Sequence, residues 1–341
     1  MRDVPIQVSA HGGIVLGEKV VCDGFFADVA TRVQTHIHSD HMTDFESSKG
    51  YHSIIMSEAT KELLVTEFDA DLPYRSNLIA IPIGQTYQID GGRIDLLSSA
   101  HMLGAVQVGL TMEDGTKLAY SGDFNWPLGS VIQANVLVVD STYGSPDRAR
   151  KYAQEEVDSR LTELVVRQLR LGSVHIKAHR GTLERALELL DAATDVPIVA
   201  AGRLCQEIDV YRKFGYHIRP ILNLSSAEAQ RSLADGRYVR LYGLREADLF
   251  GLTEGTAINL SAYMASTSDP VLEYSPRAFR VAMTCHADFE GTLKYIEATR
   301  ADYVITDNRG GHAVELANAI RSQLGIDATP SQHRPSRYWG E

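Results

Sequence analysis

Over the first 145 residues the sequence alternates short β-rich runs with turns: GIVLG, KVVCDG, ATRVQTHIH, HSIIMS, NLIAIPIG, TYQIDGGRIDLLSSA, AVQVGLTMEDGTKLAYSGD and NVLVVD. Val, Ile and Thr suit a pleated surface, and the Asp-Gly of MEDGTK and the Gly-Gly of IDGGRI are tight-hairpin signals. This part is expected to hold many antiparallel strands and few helices. Near residue 150 the texture changes. YAQEEVDSRLTELVVRQLRLG has helical periodicity and stops at Gly172, SVHIKA reads as a strand, and TLERALELLDAA reads as a helix. DVPIVAAG followed by QEIDVYRKFG repeats the unit. After a polar stretch at 223–275, RVAMTC, FEGTLKYIEAT, DYVITDN and HAVELANAIRSQLG give two more strand and helix pairs. Such alternation implies a largely parallel sheet, so the chain is expected to be α/β with two differently built parts. It shows no internal repeat and no low-complexity segment.

A length of 341 residues with 44% hydrophobic content is enough for one large domain or two medium ones. No apolar run approaches the roughly 20 residues that span a bilayer. The start, MRDVPIQVSA, lacks the basic, apolar, small-residue order of a signal peptide. A cytoplasmic protein with no membrane partner is the expectation. Cys22, Cys205 and Cys285 lie far apart without CxxC spacing, which indicates buried free thiols rather than disulfides or a thiolate zinc site. The net charge of −11 argues against a surface that coats nucleic acid, because counterion release needs clustered Lys and Arg. A local site is still compatible with a phosphodiester, since paired divalent cations are strong local charges.

The chemistry concentrates in THIHSDHM, residues 35–42, which carries three of the twelve histidines of the chain together with Asp40. Imidazole and carboxylate are the donors that hold Zn²⁺ and similar ions, and a short loop after a strand aims several at one point. Three further strand ends follow in chain order: His101 in SSAHMLGA, Asp123 in LAYSGD and Asp140 in VLVVDSTYG. A lone loop histidine is usually an ordinary surface residue, and an Asp after Gly often only caps a turn. Four such features in succession are much harder to dismiss. His11, His52, His175, His217 and His333 lack that company and read as ordinary.

This order of motifs resembles the metallo-β-lactamase fold superfamily, and more narrowly its β-CASP nuclease branch, which includes RNase J, messenger-RNA 3′-end processing endonucleases and DNA-repair nucleases. THIHSDH matches the histidine signature, SAHMLGA and YSGDF match the next two segments, DSTYG is similar to an E-S-T-Y-G segment, and MTCHADFEG resembles an S-x-H-x-D segment. The resemblance implies an αββα metallo-β-lactamase domain at 1–145 and 277–341, with an α/β β-CASP cap domain inserted at 146–276. At the SVHIKAHRGTLERALELL junction, Thr182 and Leu183 stand where relatives carry Gly and Arg, which leaves substrate contacts there undefined.

The resemblance further implies two divalent ions, zinc first and manganese as the alternative. His36, His38 and His101 would hold one, Asp40 and His41 the other, and Asp123 would bridge them. Such a centre hydrolyses a phosphodiester through a metal-bridging hydroxide. Asp40 would also orient that nucleophile, and His286, oriented by Asp140, would be the general acid. Relatives that cut RNA usually place a histidine as last ligand of the second ion, whereas several DNA-cutting relatives have an apolar residue there. Here DYVITDNRGGHA offers Asp307, or His312 as a substitute, against the plainer reading that Asp307 caps the following helix. Ser141, Thr142 and Arg309 are candidate phosphate contacts, Arg309 because the glycines after it lead into a helix N-terminus. The implied activity is a nuclease on RNA or single-stranded DNA, exo or endo, with a homodimer or processing-complex partners open. The competing readings are a small-molecule metallo-hydrolase of thioesterase or lactonase type on the same metal core, and an inactive binding subunit. The insertion and His286 disfavour the first, and the intact motifs disfavour the second.

Overall fold

The computed structural model describes residues 5–68, 71–244, 246, 249, 252, 254–262 and 268–332. The chain divides into two compact units, Met1–Ala149 with His286–Glu341, and Arg150–Cys285. Among the described residues three sheets form, two in the first unit and one in the second.

The first unit opens with β1 (Ile6–Val8), β2 (Ile14–Leu16), β3 (Val20–Cys22), β4 (Thr31–Val33), β5 (Ser53–Ser57) and β6 (Leu78–Ile81), which lie side by side in chain order. β1 to β3 are antiparallel, but β3 to β6 run parallel, against the antiparallel expectation. Parallel neighbours need a crossover, and two short helices supply it: α1 (Phe45–Tyr51) before β5 and α2 (Glu58–Glu67) before β6. α2 starts where the Ser57 hydroxyl accepts from Thr60 N at 3.1 Å, which satisfies one of its free N–H groups. The next sheet begins as a meander of β7 (Thr86–Ile89), β8 (Gly92–Ser98), β9 (Val106–Met112) and β10 (Lys117–Tyr120), with β11 (Val136–Asp140) parallel to β10.

The second unit contains α3 (Gln154–Gln168), β12 (Val174–Lys177), α4 (Thr182–Ala193), β13 (Ile198–Ala200), α5 (Gly202–Lys213), β14 (Leu222–Asn223), α6 (Ala227–Asp235), β15 (Val239–Tyr242), β16 (Thr256–Leu260), β17 (Val271–Ser275) and β18 (Ala278–Val281). Its sheet runs β14-β13-β15-β12-β16-β18-β17, parallel except for the edge strand β17. The polar stretch from 223 therefore conceals α6 and three strands.

The chain then completes the first unit with α7 (Phe289–Thr299), β19 (Tyr303–Asp307), α8 (Ala313–Ala319) and β20 (Asp327–Pro330). β19 pairs parallel with β11, so that Asp307 stands opposite Asp140. Alternation along β11 shows how the layers are built: Val138 joins Leu16, Val33, Ile55 and Val108 between the two sheets, whereas Leu137 and Val139 join Phe289, Leu293 and Leu316 on the other face. Full burial of each such side chain contributes about 1.5–3 kcal/mol of transfer free energy, which fixes the strand ends firmly. With α1 and α2 against β5 and β6, the first unit is layered helix, sheet, sheet, helix, an α/β metallo-β-lactamase-like fold. No helix among the described residues is long and apolar enough to cross a membrane.

Candidate metal centre

The histidine loop leaves β4 and is curled by buried side chains of its own strand. Gln34 donates from Nε2 to the carbonyls of His36 at 2.6 Å and His41 at 3.0 Å, drawing the ends of the loop together. Ile37, 1% exposed, anchors its middle in the core, so the alternate His36 and His38 turn the other way, where His38 Nδ1 lies 3.0 Å from His101 Nε2. Asp123 arrives there from β10 through Gly122, whose φ is +55° and where an added Cβ would lie 2.7 Å from the Val106 carbonyl oxygen. Glycine is required at that turn.

Two donor groups meet at Asp123. His36, His38, His101 and Asp123 form one, and Asp40, His41 and Asp123 the other, with the donor atoms of each within 4.8 Å of one another. Asp123 Oδ2 is 3.7 Å from His36 Nε2 and 3.5 Å from His101 Nε2, while Oδ1 is 3.1 Å from His41 Nε2. Each carboxylate oxygen thus serves a different group, as a bridge requires. Burial and the neighbouring His41, His38 and His101 hold the His36 imidazole well below its usual range, in the neutral form that coordinates metals. His41 is driven the other way. Burial and Arg309 lower it, but Asp123, Asp40 and Asp23 outweigh them and push it up to about 10, so that corner favours positive charge. Asp40 Oδ2 and His41 Nε2 are both buried and make no hydrogen bond. Unsatisfied buried donors and acceptors are costly, and a cation between these two atoms would satisfy both. The residues present therefore fit divalent metal ions.

A third group, Asp123, Asp140 and His286, adjoins them. His286 Nδ1 lies 3.2 Å from Asp140 Oδ2, and its Nε2 lies 3.8 Å from Asp123 Oδ2. Burial acts to lower the His286 pKa, but the hydrogen bond to Asp140 and the charges of Asp123 and Asp140 overcome it and raise the value. In Asp140, burial is outweighed by the His286 contact and by Thr142, which holds the carboxyl below its usual range.

The far end of the chain stands apart from these donor groups. Asp307 and His312 join none of these groups. Asp307 accepts from Arg309 N at 3.1 Å and caps the turn Asn308–Gly310, with its other oxygen 3.6 Å from Arg309 Nε. The candidate phosphate contacts are engaged inside the protein. Ser141 Oγ donates to the Asp307 carbonyl, and Thr142 donates from N and Oγ1 to Asp140 Oδ1. Arg309 is 5% exposed and donates to the carbonyls of Asp40 and Gly12. The glycine pair has a packing reason as well: an added Cβ at Gly310 would lie 2.4 Å from Thr142 Cα.

Three residues that matter here have weak sequence signals. Asp23 takes His41 Nδ1 at 2.7 Å and also accepts from Thr35 N and Oγ1. Such a carboxylate behind a ligand histidine fixes its ring and tautomer. Burial acts to raise Asp23, but His41, Arg309 and Thr35 lower it. Its signal is the Asp-Gly that ends the buried run KVVCDG. Arg32 and Gln34 look like outward strand positions, yet both are wholly buried. Among the remaining histidines, His52 bonds Ser48 and Phe26, and His175 bonds Ser173 and Tyr242; His333 lies outside the described residues. Cys22 and Cys285 are buried free thiols, while Cys205 is only partly covered.

No family model matches the chain. The uncharacterized protein in lig 3′ region of Acidianus ambivalens is 31% identical over 140 residues, 40% of this chain and 99% of the relative. The chain belongs to that protein's family. Two Arabidopsis thaliana proteins also match: DNA cross-link repair protein SNM1 (27% identity over 119 residues, 33% of this chain and 24% of the relative) and cleavage and polyadenylation specificity factor subunit 3-II (31% over 155 residues, 36% and 25%). A probable DNA ligase of Opitutus terrae is 23% identical over 332 residues, 88% of this chain but 30% of the ligase. The chain thus spans a third or less of each of these last three. Together with the His/Asp clusters, the plant relatives support membership of the metallo-β-lactamase superfamily and a metal-dependent hydrolase. A crystal structure of a protein of unknown function from Enterococcus faecalis V583 shares the fold, with a TM-score of 0.62 at 13% identity over 89% of this chain and 80% of that one.

Proposed function

We propose that the chain is a two-cation phosphodiesterase that cleaves nucleic acid, single-stranded DNA ahead of RNA, with Arg150–Cys285 as its inserted cap. The observation that carries this reading is the convergence on Asp123 of two metal-fit donor groups and a His286–Asp140 dyad. A thioester hydrolase needs no such acid, because a thiolate departs more readily than a sugar hydroxyl. The preference for DNA rests on names: one relative is a DNA cross-link repair protein and another a probable DNA ligase. The cleavage and polyadenylation relative keeps RNA in the test.

On this reading His36, His38, His101 and Asp123 hold one ion and Asp40, His41 and Asp123 the other. Zinc or manganese suits that nitrogen and oxygen set. When bound, such ions bring water near its nucleophilic form at neutral pH and stabilise charge on the phosphoryl oxygens. The protein's own groups do the rest. Asp23 fixes the His41 ring through Nδ1. Asp140 keeps the His286 Nδ1 proton in place, so that Nε2 presents a proton to the leaving oxygen, and the raised pKa keeps that proton available near neutrality. Zinc- or manganese-loaded protein should shorten 5′- and 3′-labelled single strands, DNA at least as fast as RNA, and Asp123→Ala should abolish it. No cleavage of any strand, with turnover of a lactone or thioester panel, would refute the reading.

A further inference from the structure

The two donor groups are unequal. One has four residues drawn from three segments, whereas the other has Asp40, His41 and the shared Asp123. Two of its three donors are adjacent residues on an irregular loop, so their aim depends on the backbone at 40–41. That backbone is held by two buried arginines, one on each successive carbonyl. Arg309 Nη1 donates to Asp40 O at 3.1 Å while Nη2 donates to Gly12 O at 2.7 Å. Arg32 Nη2 donates to His41 O at 3.1 Å, and its Nη1 reaches Gly24 O, Thr43 O and Ser48 Oγ. Burying a guanidinium is costly, and packing alone would be met by an apolar side chain. A planar fork that bridges two carbonyls gives fixed distance and direction.

We infer that Arg309 and Arg32 are positioning residues for the Asp40–His41–Asp123 cation site, clamping the loop from both sides so that three protein donors suffice. This rests on the two-cation reading above. Asp307 then serves as the ionic partner and backbone cap of Arg309 rather than as a donor to the ion. The clamp adds to the turn hydrogen bonds from His41 N to His38 O and from Met42 N to Ser39 O, and together they present Asp40 Oδ2 and His41 Nε2 toward one point.

Arg309→Lys tests it, because lysine keeps the charge but reaches one carbonyl rather than two. Metal-stripped full-length protein is titrated with Zn²⁺, and separately with Mn²⁺, against a chromophoric chelator, with bound metal per chain counted at each step. The expected result is two steps in wild type, of which Arg309→Lys weakens the second by roughly ten- to a hundredfold and leaves the first within about twofold. Arg32→Lys should do the same and stands in if the first variant does not fold, as judged by its thermal unfolding without metal. Asp307→Asn, which removes the ionic partner of Arg309, should weaken the second step in the same sense but less than Arg309→Lys, and leave the first within about twofold. A clamp that acted only through general stability would move both steps together, which would overturn the inference, as would two unmoved steps. If wild type binds no cation at all, the two-cation reading falls first and the clamp with it.

Discussion

Asp140→Asn isolates the acid. Asp140 Oδ1 accepts two Thr142 hydrogen bonds, at 2.8 and 2.7 Å, so an asparagine side chain keeps its carbonyl oxygen on that side. Its amide nitrogen then faces His286 Nδ1, where Oδ2 stood at 3.2 Å. Two donors oppose each other there. The imidazole responds by moving its proton to Nε2 and by resisting a second one. A hydrogen bond to a charged group is worth about 1.5–3 kcal/mol, which at 1.36 kcal/mol per pKa unit corresponds to a fall of about 1–2 units for His286. The assay is the pH dependence of strand cleavage, paired with NMR titration of the His286 ring, which needs no substrate. The alkaline limb and the ring titration should both move to lower pH by that amount, with folding intact. The stability effect has a defined window. The folded state raises His286 above 6.5 and lowers Asp140 below 3.8, so their one interaction is at full strength between those values and fades beyond each folded pKa. An unmoved alkaline limb alongside a shifted ring titration would refute His286 as the acid, and an unmoved ring titration would refute the coupling itself.

Glu184, at the start of α4, is pushed up to about 8 by burial and by Glu207, and its Oε1 has no hydrogen-bond partner. The folded chain keeps this proton to about pH 8 while the unfolded chain releases it near 4.5, so ionisation counts increasingly against the fold between those values. Glu184→Gln should therefore raise Tm over wild type by an increment that grows across that range and then levels; a pH-independent increment would contradict this. Gly310→Ala places a methyl 2.4 Å from Thr142 Cα and should cost about 1–3 kcal/mol, read as a lowered urea midpoint. An unchanged midpoint would mean that the turn yields freely. Chelation of divalent ions should lower Tm and Zn²⁺ or Mn²⁺ should restore it, by about 2.7 kcal/mol at a hundredfold excess over Kd. No shift in either direction would contradict a resident metal.

The parts of the site that were legible in the sequence are those whose side chains cluster locally or sit at strand ends: His36 to His41 in one loop, then His101, Asp123 and Asp140 each closing an apolar run. The sequence does not reveal what holds them. Asp23 reaches His41 across 18 residues, and Arg309 reaches Asp40 across 269, so neither contact leaves a local pattern. Arg32 sits in a three-residue strand, too short for alternation to reveal that it points inward. The same limit explains α1 and the parallel run of β3 to β6. FESSKGY has no apolar stripe, and its helix exists because Phe45 and Ser48 are buried against the sheet. From TDNRGGH Asp307 is the candidate ligand with a helix cap as the plainer alternative, and its contacts with Arg309 leave no local pattern.

The most direct test of the two-cation account is anomalous X-ray diffraction from crystals of the Zn²⁺-loaded protein. Two peaks are predicted, one among His36, His38 and His101 and one beside Asp40 and His41, with Asp123 between them. Peaks elsewhere, or none at saturating zinc, would contradict it.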